Sequence, residues 1–300
     1  MGLQQAPALL VWPRTLAAGM DDARRDRRLK FYALRDNLSE CDNGLTKRVR
    51  SDDSVATEAA AEASSLLQDL RARMGEYSTA GLRSAGDRES NDLILRVLRS
   101  HRPRDPILSE ESVDGLDRVG SRRVWIVDPL DGTREFGERG RVDFAVHVAL
   151  VIDGQPASGA VALPAEDVIF STDGDQPQRE SLCPGAGRPL RIIVSRTRPP
   201  EVALVIARRM DAEIIRMGSA GAKAMAVLSG KADAYIHVGK LHEWDVAAPA
   251  AVLKQRELHV SRLDGAPLRF NQRDPSLSNV LMCRMDVAHE ILGALATADR

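Results

Sequence analysis

The sequence holds only three cysteines in 300 residues, Cys41, Cys183 and Cys283. They are odd in number and far apart, so they offer neither a disulfide framework nor a metal spacing, and they fit a reducing cytoplasm. No apolar run approaches the roughly 20 residues of a membrane span. The short apolar patch from Ala6 to Trp12 has no basic residue ahead of it, which argues against a secretory signal. Charge of one sign is also lacking: 42 Lys+Arg stand against 43 Asp+Glu, a net of −1. That balance gives no electrostatic case for nucleic acid or an anionic membrane as partner.

What remains is an ordinary soluble composition, 43% hydrophobic and 28% charged, long enough for one large or two ordinary domains. Residues 1–50 stand apart: charge-rich from Asp21, with little periodicity. They are expected to be a disordered N-terminal extension, with Met20 a candidate later start.

The informative stretch is Val124-Trp125-Ile126-Val127-Asp128-Pro129-Leu130-Asp131-Gly132-Thr133. Its apolar run reads as a buried strand with Asp128 at the end. Pro129 holds Asp128 extended, and Gly132 lets an anion approach backbone N–H groups. A short helix starting at Thr133 would face the same spot. Two carboxylates together raise each other's pKa unless a cation intervenes. Oxygen ligands without nearby His or Cys suit Mg²⁺ or Mn²⁺, so the pattern points to metal-assisted phosphoryl transfer to water. The haloacid-dehalogenase pattern D-x-D-G-T is excluded, because Pro129 and Leu130 both separate the acids.

Order is expected from Ser51, with a helix capped by Asp53 or Ser54 and ending at Gly75. A loop over 77–86 precedes a second helix from Asp87 to Ser100, where Asp87 serves as N-cap. Ile107 to Ser109 is a short strand running into Glu110 and Glu111. Phe144–Ile152, Ala157–Leu163 and Asp167–Ser171 form a meander with Asp153-Gly154 as a hairpin turn. The alternation Val146, Val148, Leu150 fits a sheet buried on one face, and His147 reads as an ordinary sheet residue. The unpatterned segment 172–189 is the expected junction between halves 51–186 and 187–300. The second half alternates: strands at 191–195, 213–216 and 232–238, and helices from Pro199-Pro200 to 209, at 220–228 and at 245–255. A hairpin over 258–271 turning at Asp264-Gly265 and a helix over 286–296 complete it. Gly218-Ser219-Ala220-Gly221-Ala222-Lys223 is a small-residue strand-to-helix turn that lacks Walker spacing.

The D-P-L-D-G-T stretch resembles the signature of the inositol monophosphatase superfamily, and two further motifs agree in order. Ser109-Glu110-Glu111 is similar to its S-E-E motif, and Trp244-Asp245-Val246-Ala247-Ala248 to its W-D-x-A-A motif. The resemblance implies an α/β fold, an α-β-α-β-α layered sandwich, often a homodimer. It implies a phosphatase binding two or three Mg²⁺ ions, with Mn²⁺ as a substitute and Li⁺ as inhibitor. Glu110, Asp128, Asp131, Asp245 and the Leu130 carbonyl would be ligands. Glu110 and Thr133 would orient the attacking water, with Asp87 near an outer metal. Gly132 and Thr133 would hold the phosphate, and Ser219, Asp245, Lys223 and Arg198 would contact substrate, Lys223 through a second phosphate. Arg198 departs from the Ser-Arg-Ser-His of related nucleotidases by replacing the His. Arg134-Glu135-Phe136 with the other motifs looks most like the CysQ-type 3′(2′),5′-bisphosphate nucleotidases of sulfate assimilation. These cleave the 3′-phosphate of 3′-phosphoadenosine 5′-phosphate. Inositol-1-phosphate and fructose-1,6-bisphosphate stay open as substrates, as does a non-catalytic polyanion-binding role. Phe136 and Trp244 are the aromatic candidates for the base.

Overall fold

A computed structural model of the chain describes residues 50–173 and 188–298. The expected N-terminal extension (apart from Arg50), Cys41, Cys183 and most of the expected junction lie outside the described residues.

The first helix, α1 (Asp52–Ala72), is capped by Ser51, whose Oγ accepts from the Ser54 N–H at 3.1 Å. Asp53, one of the expected caps, instead accepts the Thr172 hydroxyl at 2.5 Å. A short 3-10 turn, Met74–Glu76, holds Gly75. Helix α2 (Thr79–His101) then starts two turns earlier than expected, with Ser78 as cap. Most of the loop expected over 77–86 is therefore helix, although glycine inside a helix costs ~1 kcal/mol relative to alanine. Gly86 has a packing reason: a Cβ there would fall 2.8 Å from both Leu130 Cδ2 and Phe136 Cε1. Asp87 is therefore no N-cap but a side chain in the helix interior.

Strands β1 (Ile107–Ser109), β2 (Arg123–Asp131), β3 (Ala145–Ile152), β4 (Gln155–Leu163) and β5 (Val168–Ser171) form one sheet in that order. The β1–β2 pair is parallel and the rest is an antiparallel meander. Asp153 and Gly154 turn β3 into β4 with φ of 51° and 74°, as a primed hairpin turn requires. Between β2 and β3 lies the five-residue helix α3 (Thr133–Gly137).

The second sheet has order β7-β6-β8-β10-β9, from β6 (Arg191–Ser195), β7 (Glu213–Met217), β8 (Ala234–His242), β9 (His259–Arg262) and β10 (Ser276–Cys283). Helices α4 (Glu201–Arg209), α5 (Ala220–Leu228), α6 (Glu243–Gln255) and α7 (Met285–Ala298) accompany it. The expected 258–271 hairpin is half right. The Asp264-Gly265 turn closes, with Arg262 N–H on the Ala266 carbonyl at 2.8 Å. Its first arm, β9, pairs with β10 instead of the segment after the turn. Strand β10 escaped notice because its register shifts between Ser278 and Val280, and Asn279 has φ of 60°, so its alternation is broken.

Three apolar clusters stack these layers. Trp125, Val127, Val146, Val148 and Leu150 pack on α1 and α2. Val124, Ile126, Ala149 and Val151, from the opposite face of the same sheet, pack on α5, α6 and the second sheet. The far face of that second sheet, with Ile192, Val194, Ile236 and Leu281, is covered by α4 and α7. The result is the expected α-β-α-β-α sandwich. The first sheet is buried on both faces, not one, because helices lie on each side of it. Small residues set the middle spacing: a Cβ on Gly159 of β4 would fall 2.8 Å from Ala251 Cβ of α6. Truncating one of the large core residues, such as Leu67, would cost about 2–5 kcal/mol. Among the described residues no helix is long and apolar enough to cross a membrane.

Candidate metal centre

The site is built on a break in a strand. In β2 Asp128 faces His147 of β3, yet Asp131 faces Ala145: three residues advance on one strand and two on the other. On a regular strand an odd spacing sends two side chains to opposite faces. The bulge cancels that flip and brings both carboxylates to one side. Pro129, with no N–H to give to a ladder, occupies the irregular stretch, and its carbonyl accepts from Ser90 Oγ of α2 at 2.8 Å. Asp128 Oδ1 accepts from the Leu130 N–H at 3.0 Å, which fixes its rotamer. Gly132 is required twice, by its φ of 89° and by space. A Cβ would lie 3.0 Å from the Asp143 carbonyl and 3.2 Å from Ser219 Cβ.

Glu110 reaches the same place from β1, its N–H pairing with the Val127 carbonyl at 3.2 Å. Thr133 Oγ1 lies 3.1 Å from both Asp87 Oδ1 and the Leu130 carbonyl. Asp245 comes from the second half as the third residue of α6, where its carboxylate accepts the His242 N–H at 2.6 Å. It thus closes a capping box instead of standing at the N-cap position.

These acids raise one another's pKa. Burial, then the charges of Glu110, Asp131 and Asp245, pushes Asp128 well above the carboxylate range. Burial, then Asp131 and Glu111, raises Glu110 to about 7, although the neighbouring Asp128 opposes the rise. Asp245 is raised to about 8 by burial and then by Asp131. Asp87 reaches about 6 through burial and Glu111. The charges of Glu110, Asp131 and Asp245 are thus all felt at Asp128. Asp128 is 1% exposed, and its Oδ2 is buried with no hydrogen-bond partner among the described residues. An orphaned carboxylate oxygen among mutually repelling acids is what a divalent cation would satisfy, and the residues fit one. Atoms of Asp128, Asp131 and His147 lie within 4.8 Å of one another.

The expected substrate contacts are arranged differently. Ser219 Oγ donates to Asp131 Oδ2 at 2.5 Å, so its hydroxyl serves the acid cluster. Lys223 is buried, with Nζ 2.6 Å from the Ser219 carbonyl and 3.3 Å from that of Gly218. The ammonium thus supports the turn from beneath. Arg198 is exposed, and its N–H donates to Ser195 Oγ at 3.3 Å. The engaged arginine is Arg196, paired with Glu135 at 2.6 Å and Glu138 at 3.3 Å. Phe136 is fully buried, edge-on to Phe144, which makes it core. Trp244 is half-buried and stacks on His242 with ring centroids 4.4 Å apart. The α3 helix forms at Thr133 as expected, but five residues carry little macrodipole, leaving the Gly132 and Thr133 N–H groups as the local donors.

His147, read from the sequence as an ordinary sheet residue, lies beside these acids. Its ring is buried in β3, with Nδ1 3.0 Å from the Trp244 carbonyl and Nε2 3.4 Å from Asp131 Oδ2. Its signal was register: it sits directly across the ladder from Asp128.

The chain resembles known proteins over most of its length. The profile of the Inositol monophosphatase family matches residues 48–297. A Mycobacterium tuberculosis protein named 3′-phosphoadenosine 5′-phosphate phosphatase is 51% identical over 247 residues, 80% of this chain and 91% of its own length. The 3′(2′),5′-bisphosphate nucleotidase CysQ of Escherichia coli is 34% identical over 209 residues, 65% of this chain and 82% of that one. Among solved structures, inositol monophosphatase II from Staphylococcus aureus superposes with a TM-score of 0.67 at 25% identity, covering 82% of this chain and 95% of that one. With the family profile matching residues 48–297, the chain belongs to the inositol monophosphatase family.

Proposed function

We propose that this chain is a magnesium-dependent phosphatase that removes the 3′-phosphate from 3′-phosphoadenosine 5′-phosphate, yielding AMP and inorganic phosphate. The observation that carries the substrate assignment is the 51% identity, over most of both chains, to relatives named for that activity. The site chemistry carries the metal. Glu110, Asp128, Asp131, Asp245 and the Leu130 carbonyl are the oxygen donors that would hold two or three Mg²⁺ ions, for which Mn²⁺ can substitute. Bound magnesium supplies Lewis acidity toward the phosphate and a lowered pKa for water.

The protein's own groups do the orienting. The Thr133 hydroxyl donates to Asp87, which leaves its lone pairs to accept from a water. Glu110 accepts the second hydrogen of that water and takes the proton as the water oxygen bonds to phosphorus in line with the breaking P–O ester bond, and the departing 3′-oxygen takes a proton from solvent to become the ribose hydroxyl. The Gly132 and Thr133 N–H groups hold the phosphate, and α6, with Asp245 and the Trp244–His242 stack, lines the nucleoside side. Residues 51–186 supply most ligands in this reading, and residues 187–300 supply Asp245 and substrate contacts. A homodimer is expected in solution, and a role in sulfate assimilation in the cytoplasm follows from the substrate.

Phosphate release from 3′-phosphoadenosine 5′-phosphate, inositol-1-phosphate and fructose-1,6-bisphosphate, each with and without Mg²⁺, tests the proposal. The nucleotide should have the highest kcat/KM, and EDTA should abolish turnover. A preference for inositol-1-phosphate would favour the second reading, which rests on the fold match to an inositol monophosphatase. No turnover on any of the three would leave a polyanion-binding role.

A further inference from the structure

Ser219, between Gly218 and Ala220, occupies a conformation that suits glycine, with φ of 51° and ψ of 132°. An L-residue held there is strained, and such strain persists where the surroundings enforce it. The hydroxyl shows what it is held for. It donates to Asp131 Oδ2 at 2.5 Å and accepts from the Ala222 N–H at 3.0 Å. A hydroxyl has one hydrogen, so none is left for a phosphate oxygen while Asp131 is held.

The same carboxylate oxygen takes the Gly221 N–H at 2.7 Å, and His147 Nε2 lies 3.4 Å away. A Cβ on Gly221 would fall 2.0 Å from that ring nitrogen, so glycine, ring and carboxylate form one packed unit. Asp131 is thus anchored through Oδ2 by a turn of the second half, which leaves Oδ1 as the oxygen available to a cation.

We propose that Ser219 is a positioning residue that orients Asp131 toward the metal, and not a substrate contact. This rests on the metal-centre reading above. Removing an outer partner of a metal ligand typically weakens metal binding by about 10–100-fold.

Ser219→Ala and Ser219→Gly both delete the hydroxyl, and the glycine variant also removes the strain. Mg²⁺ binding by calorimetry and Mn²⁺ binding by electron paramagnetic resonance are measured on the full chain without substrate. The kcat and KM for 3′-phosphoadenosine 5′-phosphate are then taken at saturating Mg²⁺. Both variants should bind each metal about 10–100-fold more weakly, with KM at saturating metal close to wild type. Unchanged metal affinity with a raised KM would overturn the proposal in favour of substrate contact. Weakened binding in the alanine variant alone would overturn it too, since strain and not the hydroxyl would then be responsible. If the wild-type chain binds neither metal, the metal-centre reading itself fails, a separate and recognisable outcome.

Discussion

Asp245→Asn should stabilise the metal-free protein while removing its activity. Asp245 is raised from an ordinary 3.8 to about 8, by burial first and then by the charge of Asp131. Between those values the folded carboxyl keeps a proton that the unfolded chain has released. The folded state then binds more protons, so stability falls as pH rises through the window from 3.8 to about 8. At pH 7 the full difference corresponds to about 4 kcal/mol. Because the neighbouring buried acids take up and release protons together, about 2 kcal/mol is the expected gain for the variant. Asparagine keeps an acceptor for the His242 N–H, so the capping box survives. For a domain of this size that gain is a Tm increase of roughly 4–8 °C.

Thermal melts in EDTA at pH 7 and pH 4 provide the assay. The gain should be present at pH 7 and shrink to well under about 1 kcal/mol at pH 4, where the unfolded carboxyl is also largely protonated. Adding Mg²⁺ should raise the wild-type Tm more than the variant's, because the cation binds the folded state. A variant that melts at or below wild type in EDTA at pH 7, or whose gain ignores pH, would refute the idea that uncompensated acids burden this fold.

Asp128→Asn should lower kcat by orders of magnitude at saturating Mg²⁺ with no loss of Tm, read by steady-state kinetics beside a melt. Gly221→Ala should cost about 1–3 kcal/mol in urea unfolding, because the new methyl meets a buried ring and not a flexible side-chain end. Part of that loss should return in the His147→Ala background. Lys223→Met should reduce turnover of 3′-phosphoadenosine 5′-phosphate and inositol-1-phosphate by similar factors, because its ammonium is spent on the carbonyls of Gly218 and Ser219. A loss confined to the bisphosphate would restore the second-phosphate role. Lithium should inhibit hydrolysis, scored as phosphate release across a titration.

Much of this centre could be read from residues alone, because a buried strand ending in two acids is a local pattern. The apolar run of β2, the Gly132 turn and the helix starts near Ala220 and Asp245 needed no tertiary information. The missing parts depend on contacts between distant segments. Gly86 looks like loop in a linear reading, yet it is the surface on which Leu130 and Phe136 rest. His147 alternates like any strand residue, and only the ladder reveals that it stands across from Asp128. The hydroxyl of Ser219 was expected to meet substrate. The direction of one O–H toward an acid 88 positions earlier is not written in local sequence. The N-cap reading of Asp87 failed because the helix runs on through that position from Thr79.

The extra residue in β2 makes the D-P-L-D-G-T element untransferable by itself. Its two carboxylates agree in direction only because the neighbouring strand counts two where it counts three. Grafting the hexapeptide onto another sheet, or deleting a single position from either strand here, would turn one acid toward the helices behind. The inherited unit is the mismatched pair of strands, and engineering of this catalyst has to carry both.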